Sequence, residues 1–235
     1  MLSRKQSAVG HAFEIEEHGF AILEGMFSPI EMQKVISDLA HSSLKRSKAG
    51  VRHALKHGAI AALAADLRLL NIAQEILGPG AVAFRATLFD KSPQANWLVV
   101  WHQDTALPLR ERSEAKGWGP WSIKDGIVYA HAPAISLRQV LALRVHLDDS
   151  DVRNGPLRVL PGTHMSGVLS DDDIQQVAAQ VSPVDCLVPK GGVLAMRPLI
   201  LHASSKSQSE TPRRVVHIEY AASKTLEAGL ELAVA

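Results

Sequence analysis

The chain has 235 residues, of which 46% are hydrophobic, and this is enough to form one β-rich domain with a substantial core. Its formal net charge is +1 and its basic residues are interspersed with acidic ones, so the charge pattern does not favour a nucleic-acid partner. The N-terminus lacks the apolar core of a signal peptide, and no apolar run approaches the roughly 18 to 20 residues that a membrane-spanning helix needs. We therefore expect a cytoplasmic protein that does not enter a membrane.

Residues 1–80 are expected to form a helical N-terminal third that supports the rest of a single domain. Residues 19–23, Gly-Phe-Ala-Ile-Leu, predict a short strand. The tetrapeptide Ser28-Pro29-Ile30-Glu31 then supplies an N-cap hydroxyl, a first-turn proline and the glutamate of a capping box. This combination predicts a helix over residues 29–42.

A second helix is predicted over residues 58–77, where alanine and leucine dominate, and Gly78-Pro79-Gly80 ends it. The stretch between the two helices, residues 43–57, is basic and has no clear period. It is either a solvated loop, as charge-rich segments usually are, or an edge of a substrate entrance.

From residue 81 onward the pattern changes from helix to strand. Short β-rich runs separated by turns indicate a double-stranded β-helix, that is, a cupin-like jelly roll, as the core over residues 81–222. The first two runs are separated by a turn-like composition and are expected to form a hairpin. The strand candidates are residues 82–90, 97–102, 139–147, 184–188, 193–196 and 214–220.

Residues 105–138 form a long insertion with no predicted element, which is unusual in a compact domain unless the segment has a function. It contains Trp118 and Trp121 within the sequence Gly117-Trp118-Gly119-Pro120-Trp121. We expect these two tryptophans either to cover a substrate pocket as a lid or to cap the apolar end of the barrel.

The sequence Trp101-His102-Gln103-Asp104 contains two candidate metal ligands, His102 and Asp104. On a strand, His102 and Asp104 would share one face while Gln103 points to the other. A tight turn and an apolar run deliver His202 to the interior further along the chain. Two histidines and one carboxylate are the ligand set that leaves one face of a non-haem Fe(II) open. His-x-Asp alone is a weak signal, since such triplets often arise by chance.

A second feature is Arg213, at the start of an apolar strand. A guanidinium buried there would need an anion, and the distal carboxylate of 2-oxoglutarate would satisfy it. Alternatively, Arg213 and Arg214 are simply a surface pair.

These motifs together resemble the phytanoyl-CoA dioxygenase family of Fe(II)/2-oxoglutarate-dependent oxygenases, and the resemblance spans nearly the whole chain. The motifs that carry it are Trp101-His102-Gln103-Asp104, the run from Asn154-Gly155-Pro156 to Pro161-Gly162-Thr163-His164, His202, and Pro212-Arg213. The resemblance implies His102, Asp104 and His202 as iron ligands, Arg213 as the anchor of 2-oxoglutarate, and Ser204 as a hydroxyl near this co-substrate.

The resemblance also implies an activity in which O2 and 2-oxoglutarate are consumed, succinate and CO2 are released, and a C–H bond of a small molecule is hydroxylated. Asp104 favours hydroxylation or desaturation over halogenation, because halogenating relatives have a small residue there, and the choice between hydroxylation and desaturation stays open. His164 is expected to be structural in the family pattern. An acyl-CoA substrate is not supported, because the basic residues near Trp118 are offset by acidic ones. The substrate and the oligomeric state stay open.

Two rival hypotheses share this fold. One is a cupin-like metal protein that works as an isomerase or ligand sensor without 2-oxoglutarate. The other is a non-catalytic relative that only binds ligands, although the intact His102, Asp104 and His202 set argues against degeneracy.

Overall fold

The computed structural model describes residues 2–42, 44 and 50–235, with side chains from residue 10 onward. The helices are α1 (Leu2–His18), α2 (Pro29–Ala40), α3 (Gly58–Ala64), α4 (Leu67–Leu77), α5 (Ala134–Leu137) and α6 (Asp171–Gln180). The strands are β1 (Phe20–Leu23), β2 (Val82–Lys91), β3 (Val99–His102), β4 (Ala106–Leu109), β5 (Trp121–Lys124), β6 (Ile127–His131), β7 (Val140–His146), β8 (Leu157–Val159), β9 (Val184–Cys186), β10 (Val193–Met196), β11 (His202–Ser204) and β12 (Arg213–Ala221). The protein is thus mainly β with added helices.

The strands form three antiparallel sheets. The largest has the order β1-β10-β7-β12-β2, the second has the order β3-β11-β8-β9, and the smallest has the order β4-β6-β5. A buried apolar cluster joins the two larger sheets, because it takes Ala142, Leu194 and Met196 from the first and Leu157 and Val159 from the second. These two sheets therefore pack face to face, as in a jelly roll.

The alternation of side chains along β7 and β12 gives the largest sheet two different faces. Apolar residues of both strands, such as Leu143 and Ile218, belong to the same buried cluster as residues of α2, α3 and α4. The intervening residues include Arg144, His217 and Glu219, which are buried and polar. Because successive side chains of a strand point to opposite faces, the helices cover one face and the polar groups occupy the barrel interior.

The helix predictions are right in position and partly wrong in extent. Ser28 caps α2 in the predicted capping box, and the helix ends at Ala40, two residues before the predicted end. The predicted helix over residues 58–77 is two helices, because the side chain of Asp66 accepts a hydrogen bond from the N–H of Arg68 and begins α4. An aspartate that binds the backbone in this way starts a new helix rather than continuing one.

The N-terminal third also contains strand β1, which pairs with β10 at the edge of the largest sheet. Of the basic segment, residues 43 and 45–49 lie outside the described residues. The remainder includes Val51, which pairs with Leu88 of β2, and a single 3-10 turn at Ala54–Lys56. The prediction of one domain over residues 1–235 stays a prediction.

Two predictions for the middle of the chain are wrong. The runs that become β2 and β3 do not form a hairpin, because β2 pairs with β12 and β3 with β11, in different sheets. The turn between them, in which Ser92 pairs with Ala95, instead leads the chain from one sheet to the other. The insertion over residues 105–138 is not an irregular loop: it contains β4, β5, β6 and α5.

Most later strand predictions agree with the structure. β10 has the predicted bounds, and β7 and β12 differ from prediction by one residue at each end. Strands β8 and β11 were not predicted, since each has only three residues, and α6 was missed although Ser170 and Asp173 form a capping box at its start. Within the part of the chain that is described, no helix combines the length and the apolar character needed to cross a membrane.

Gly155 is expected to be essential to the packing of the interior. Its φ is +67°, and a Cβ added there would lie 2.4 Å from the carbonyl oxygen of Ser205. Gly25 has a similar φ of +64° but no atom within 4 Å of the corresponding position. Gly25→Ala should therefore cost only the left-handed backbone penalty, about 1 to 2 kcal/mol.

Gly155→Ala should cost more, at least about 3 kcal/mol, because the collision adds to the same backbone penalty. Chemical denaturation of the two variants measures both free energies of unfolding. Equal losses for the two variants would show that the close approach to Ser205 does not matter.

Candidate metal centre

The side chains of His102, Asp104 and His202 come together where β3 and β11 lie side by side. His102 is the last residue of β3 and His202 the first of β11, and their Cα atoms are direct partners in the antiparallel register. The two imidazole rings are therefore neighbours, with centroids 4.2 Å apart. His102 Nε2 lies 3.7 Å from Asp104 Oδ1, and His202 Nε2 lies 3.5 Å from Asp104 Oδ2. One potential ligand atom from each residue lies within 4.8 Å of the other two.

Asp104 reaches this cluster from the loop after β3, whereas its predicted shared face with His102 assumed a strand that continues through Asp104. Strand β3 ends at His102, and the N–H of Asp104 donates to the carbonyl oxygen of Pro198 at 2.9 Å. The side chain of Gln103 points elsewhere, as expected, and its amide donates to two backbone carbonyls at 2.8 Å each. These loop contacts replace the hydrogen bonds of a strand and fix the position of the carboxylate.

Both histidines are oriented by the backbone carbonyl two residues before them. His102 Nδ1 lies 2.9 Å from the carbonyl oxygen of Val100, and His202 Nδ1 lies 2.9 Å from that of Ile200. A carbonyl oxygen can only accept, so Nδ1 carries the proton in each ring and donates it. The unprotonated Nε2 of each ring then faces Asp104, which is the tautomer that a metal ligand needs.

The protonation states also suit a metal. Burial lowers the pKa of His202 to about 4, although the carboxylate of Asp104 opposes the shift, so this imidazole is neutral at pH 7. Burial alone would raise the pKa of Asp104, but the neighbouring imidazoles and Arg85 outweigh it and hold that pKa below its usual range. The imidazoles of His102 and His202 with the carboxylate of Asp104 are a donor set for a divalent first-row metal such as Fe(II). The residues present therefore fit the metal that the sequence pattern predicts.

A cavity of about 430 Å³, called the larger cavity, opens beside the three potential ligands. Part of its wall is apolar, and this part is formed by Phe89, Trp97, Leu98, Val99, Val100 and Leu157. The rest is polar, and besides the three ligands it consists of Lys91, Arg144, Ser204 and Arg213. The cavity thus joins a candidate metal site to a group of cationic side chains.

Arg213 is buried at the start of β12, with 4% of its surface exposed. Its Nε donates to the carbonyl oxygen of Asn154 at 3.1 Å. Burial, and then repulsion from Arg144, lowers the pKa of Arg213 to about 10. Its neighbour Arg214 is different, because it forms an ion pair with Asp148 at 2.7 Å. The two arginines therefore do not form a surface pair, and only Arg213 faces the cavity.

Lys91 and Arg144 are the other two cations of the larger cavity. Lys91 Nζ donates to Ser204 Oγ at 2.8 Å and to the carbonyl oxygen of Ser205 at 2.6 Å. Burial, followed by repulsion from the two arginines, lowers the pKa of Lys91 to about 7. Arg144 donates to His217 Nδ1 at 2.9 Å. The hydroxyl of Ser204 also donates to the carbonyl oxygen of Gly155 at 2.9 Å, so it links Lys91 to the turn.

Among the described residues, no carboxylate forms an ion pair with Arg213, Lys91 or Arg144. Burying a cation is costly unless an anion compensates it, and here three cations repel one another around one space. An anionic ligand in the larger cavity would remove this cost. The three side chains therefore make this end of the cavity a site for an anion.

Trp118 and Trp121 lie elsewhere. Both are partly buried against the apolar cluster of Phe84, Leu107 and Leu109, and neither lines the larger cavity. This placement agrees with a cap on the apolar end of the barrel and does not support a lid over the metal site. Trp97 is the tryptophan that lines the cavity.

His164 also lies apart from the candidate ligands. It belongs to the 3-10 helix Thr163–Ser166, and its Nε2 lies 3.1 Å from the carbonyl oxygen of Glu16 in α1. Its ring fills the space beside Gly19, where a Cβ would lie 2.5 Å from its Nδ1. Its position fits the structural role expected from the sequence.

The sequence reasoning did not find Lys91 or Arg144. A usable signal existed for Arg144, since it is the one cation in the otherwise apolar strand run from Val140 to Val145. A charge within a buried strand requires a partner or a ligand. No comparable signal marked Lys91, which sits at the end of β2 and resembles an ordinary solvated strand end.

The sequence is similar to a protein family and to a characterised relative. Residues 15–215 match the family described as "Phytanoyl-CoA dioxygenase (PhyH)". L-proline trans-4-hydroxylase from Streptomyces griseoviridis is 25% identical over 178 residues, which are 65% of this chain and 59% of the relative. The match thus spans about three fifths of that relative's length.

Solved structures share the fold. SnoN, described as a non-heme alpha ketoglutarate dependent epimerase from nogalamycin biosynthesis, superposes with a TM-score of 0.69 at 18% identity, over 94% of this chain and 85% of SnoN. EctD from S. alaskensis, solved with 2-oxoglutarate and 5-hydroxyectoine, gives a TM-score of 0.69 at 22% identity, over 89% of this chain and 74% of EctD. Because the family match covers most of the sequence, this chain belongs to the phytanoyl-CoA dioxygenase family.

Proposed function

We propose that the protein is an Fe(II)- and 2-oxoglutarate-dependent dioxygenase that hydroxylates an unactivated C–H bond of a small-molecule metabolite. The observation that carries the proposal is that one cavity is lined both by the His102, Asp104 and His202 cluster and by three cations that form no ion pair with a carboxylate of the described residues. The family match and the 2-oxoglutarate in the related EctD structure support it.

In this proposal His102, Asp104 and His202 hold the iron. Their Nε2 and carboxylate atoms already face one another, so little rearrangement is needed to bind a metal. The Nδ1 hydrogen bonds to backbone carbonyls hold both rings in place and increase their basicity as ligands. Three protein ligands on one side leave positions for a co-substrate and O2.

Arg213 and Lys91 bind the distal carboxylate of 2-oxoglutarate. A guanidinium presents a planar pair of donors to a carboxylate, and the ammonium of Lys91 adds a second charge. Ser204 accepts a hydrogen bond from Lys91 and thereby positions it, so its proposed role is at the same end of the co-substrate. The apolar wall, including Phe89 and Leu157, excludes water from this region.

When bound, the iron would couple the oxidative decarboxylation of 2-oxoglutarate, which yields succinate and CO2, to oxidation of the substrate C–H bond. The protein's contribution is to fix the ligands, hold both carboxylates and keep the site dry. Because Asp104 occupies the position of the carboxylate ligand, the site favours hydroxylation over halogenation.

The rival hypothesis of a cupin-like metal protein that does not use 2-oxoglutarate leaves the cations without a role. Arg213, Lys91 and Arg144 would then be buried beside the metal with no anion to compensate them. The dioxygenase proposal accounts for both ends of the cavity with one ligand.

His202→Ala should lower the affinity for Fe(II) by more than about 100-fold, because it removes a direct ligand, whereas even supporting residues of metal sites contribute 10- to 100-fold. His164→Ala is the matched control, since this histidine contacts Glu16 and should leave the affinity unchanged. Anaerobic Fe(II) titration of both variants measures the difference. A wild-type affinity in His202→Ala, or an equal loss in both, would contradict the assignment of the ligands.

Arg213→Gln should weaken 2-oxoglutarate binding by about 30-fold or more, because losing one partner of a buried charge pair costs about 2 to 5 kcal/mol. The adjacent Arg214→Gln provides the matched control, since Arg214 pairs with Asp148 instead. Calorimetric titration of the Fe(II)-loaded proteins gives both dissociation constants. If Arg213→Gln binds 2-oxoglutarate as tightly as Arg214→Gln does, the proposed co-substrate site is wrong.

A further inference from the structure

A second cavity, called the smaller cavity, also reaches the candidate metal centre. Its volume is about 210 Å³, and it shares Asp104 and Phe89 with the larger cavity. This volume is below the roughly 300 to 1,000 Å³ of sites for drug-sized ligands, so the space suits a small molecule. A molecule bound there would lie against the carboxylate that we propose as an iron ligand.

One ion pair of the smaller cavity is already complete. Arg85 lies on β2, and its guanidinium donates to the carboxylate of Glu219 on β12 through both Nε and Nη2. Its remaining nitrogen, Nη1, donates to the carbonyl oxygen of Ala106 at 2.7 Å. The charges of Arg85 and Glu219 therefore compensate each other and are not free for a ligand.

Two further cations, Arg52 and Lys124, line the smaller cavity. Arg52 and Lys124 form no hydrogen bond or ion pair through their side chains with any residue that the structure describes. Lys124 is half-buried, and its ammonium lies 4.7 Å from the centre of the Tyr129 ring. Burial lowers the pKa of Lys124, repulsion from Arg85 and Arg52 lowers it further, and attraction to Asp104 opposes the shift. The described lining has three basic side chains, Arg52, Arg85 and Lys124, and two acidic ones, Asp104 and Glu219, so basic groups are in excess by one.

Two further polar groups of this cavity, Tyr129 and His217, are neutral and already hydrogen-bonded. The hydroxyl of Tyr129 lies 2.9 Å from His53 Nε2. His217 accepts a hydrogen bond from Arg144, and burial lowers its pKa well below the usual value. The carboxylate of Asp104 is engaged by the metal in the proposed function. Among the described residues that line the cavity, no acidic side chain is therefore left to pair with Arg52 or Lys124.

We propose that the smaller cavity binds the substrate and that this substrate is a small carboxylic acid, whose carboxylate is held by Arg52 and Lys124. Its remaining atoms occupy the space beside Phe89 and Asp104, which brings a C–H bond next to the metal. Guanidinium and ammonium groups both form strong, charge-assisted hydrogen bonds to carboxylates. The inference rests on the proposed function, because it takes Asp104 as an iron ligand.

The experiment is a calorimetric titration of the whole chain, loaded with Fe(II) and saturating 2-oxoglutarate under anaerobic conditions. Saturating 2-oxoglutarate occupies Arg213 and Lys91, so that added acids cannot bind there. The probes are the common amino acids and short unbranched carboxylic acids, each tested beside its own carboxamide. At least one acid should bind, and its carboxamide should bind about tenfold more weakly or worse, since a hydrogen bond to a charged group contributes about 1.5 to 3 kcal/mol.

Arg52→Gln and Lys124→Gln should each weaken binding of that acid by about tenfold or more. Lys116→Gln is the matched control, because this exposed lysine of the same chain segment does not line the smaller cavity. It should bind the acid as the wild type does. The inference is overturned if no acid of the panel binds, if acid and carboxamide bind equally, or if Arg52→Gln and Lys124→Gln keep the wild-type affinity.

The same titrations separate this inference from the proposed function. Failure of the wild type to take up Fe(II) or 2-oxoglutarate would overturn the proposed function itself. Normal uptake of both, together with no preference for carboxylates, would overturn only the identity of the substrate.

Discussion

The antiparallel pairing of β11 with β3 is the constraint on which the metal centre depends. It sets the Cα atoms of His202 and His102 directly opposite each other, so that two imidazoles from distant parts of the sequence become neighbours. Because side chains alternate along a strand, a shift of the register by one residue would turn His202 away from its partner. Asp104 follows His102 by two residues, and the hydrogen bond from its N–H to the carbonyl oxygen of Pro198 holds it beside the two histidines.

The register of β12 with its two neighbouring strands determines where the buried cations lie. Strand β12 lies between β2 and β7, and it pairs Arg213 with Lys91 on one side and His217 with Arg144 on the other. The same alternation puts apolar residues of β12 against the helices. Burial of this apolar face is a favourable term that offsets the cost of the uncompensated cations inside. Packing of the helices on the sheet thus stabilises a barrel whose interior contains the buried cations Lys91, Arg144 and Arg213.

The sequence predicted the parts of the site whose chemistry is specific to a few residue types. His102, Asp104, His202 and Arg213 could be chosen because a metal needs such ligands and a buried guanidinium needs an anion. Lys91 could not, because its place in the cavity follows from its pairing opposite Arg213, and one sequence does not reveal which strands pair.

In the fold, too, features with a local sequence pattern were predictable and strand pairing was not. The capping box of α2 and most strands were predictable from local patterns. The hairpin of β2 and β3 was not, since the partners of a strand are decided by the packing of the whole barrel. The insertion after Asp104 was misread for a related reason. Strands β4, β5 and β6 are short, and pairing with one another, not a strong periodic pattern, orders them.

The central claim is that one cavity holds both the iron and 2-oxoglutarate, and anaerobic absorption spectroscopy tests it most directly. Fe(II) and 2-oxoglutarate are added to the protein separately and together. The account predicts a visible charge-transfer band that appears only when both are present and that His202→Ala abolishes. A wild-type protein that binds Fe(II) but shows no such band with 2-oxoglutarate would contradict it.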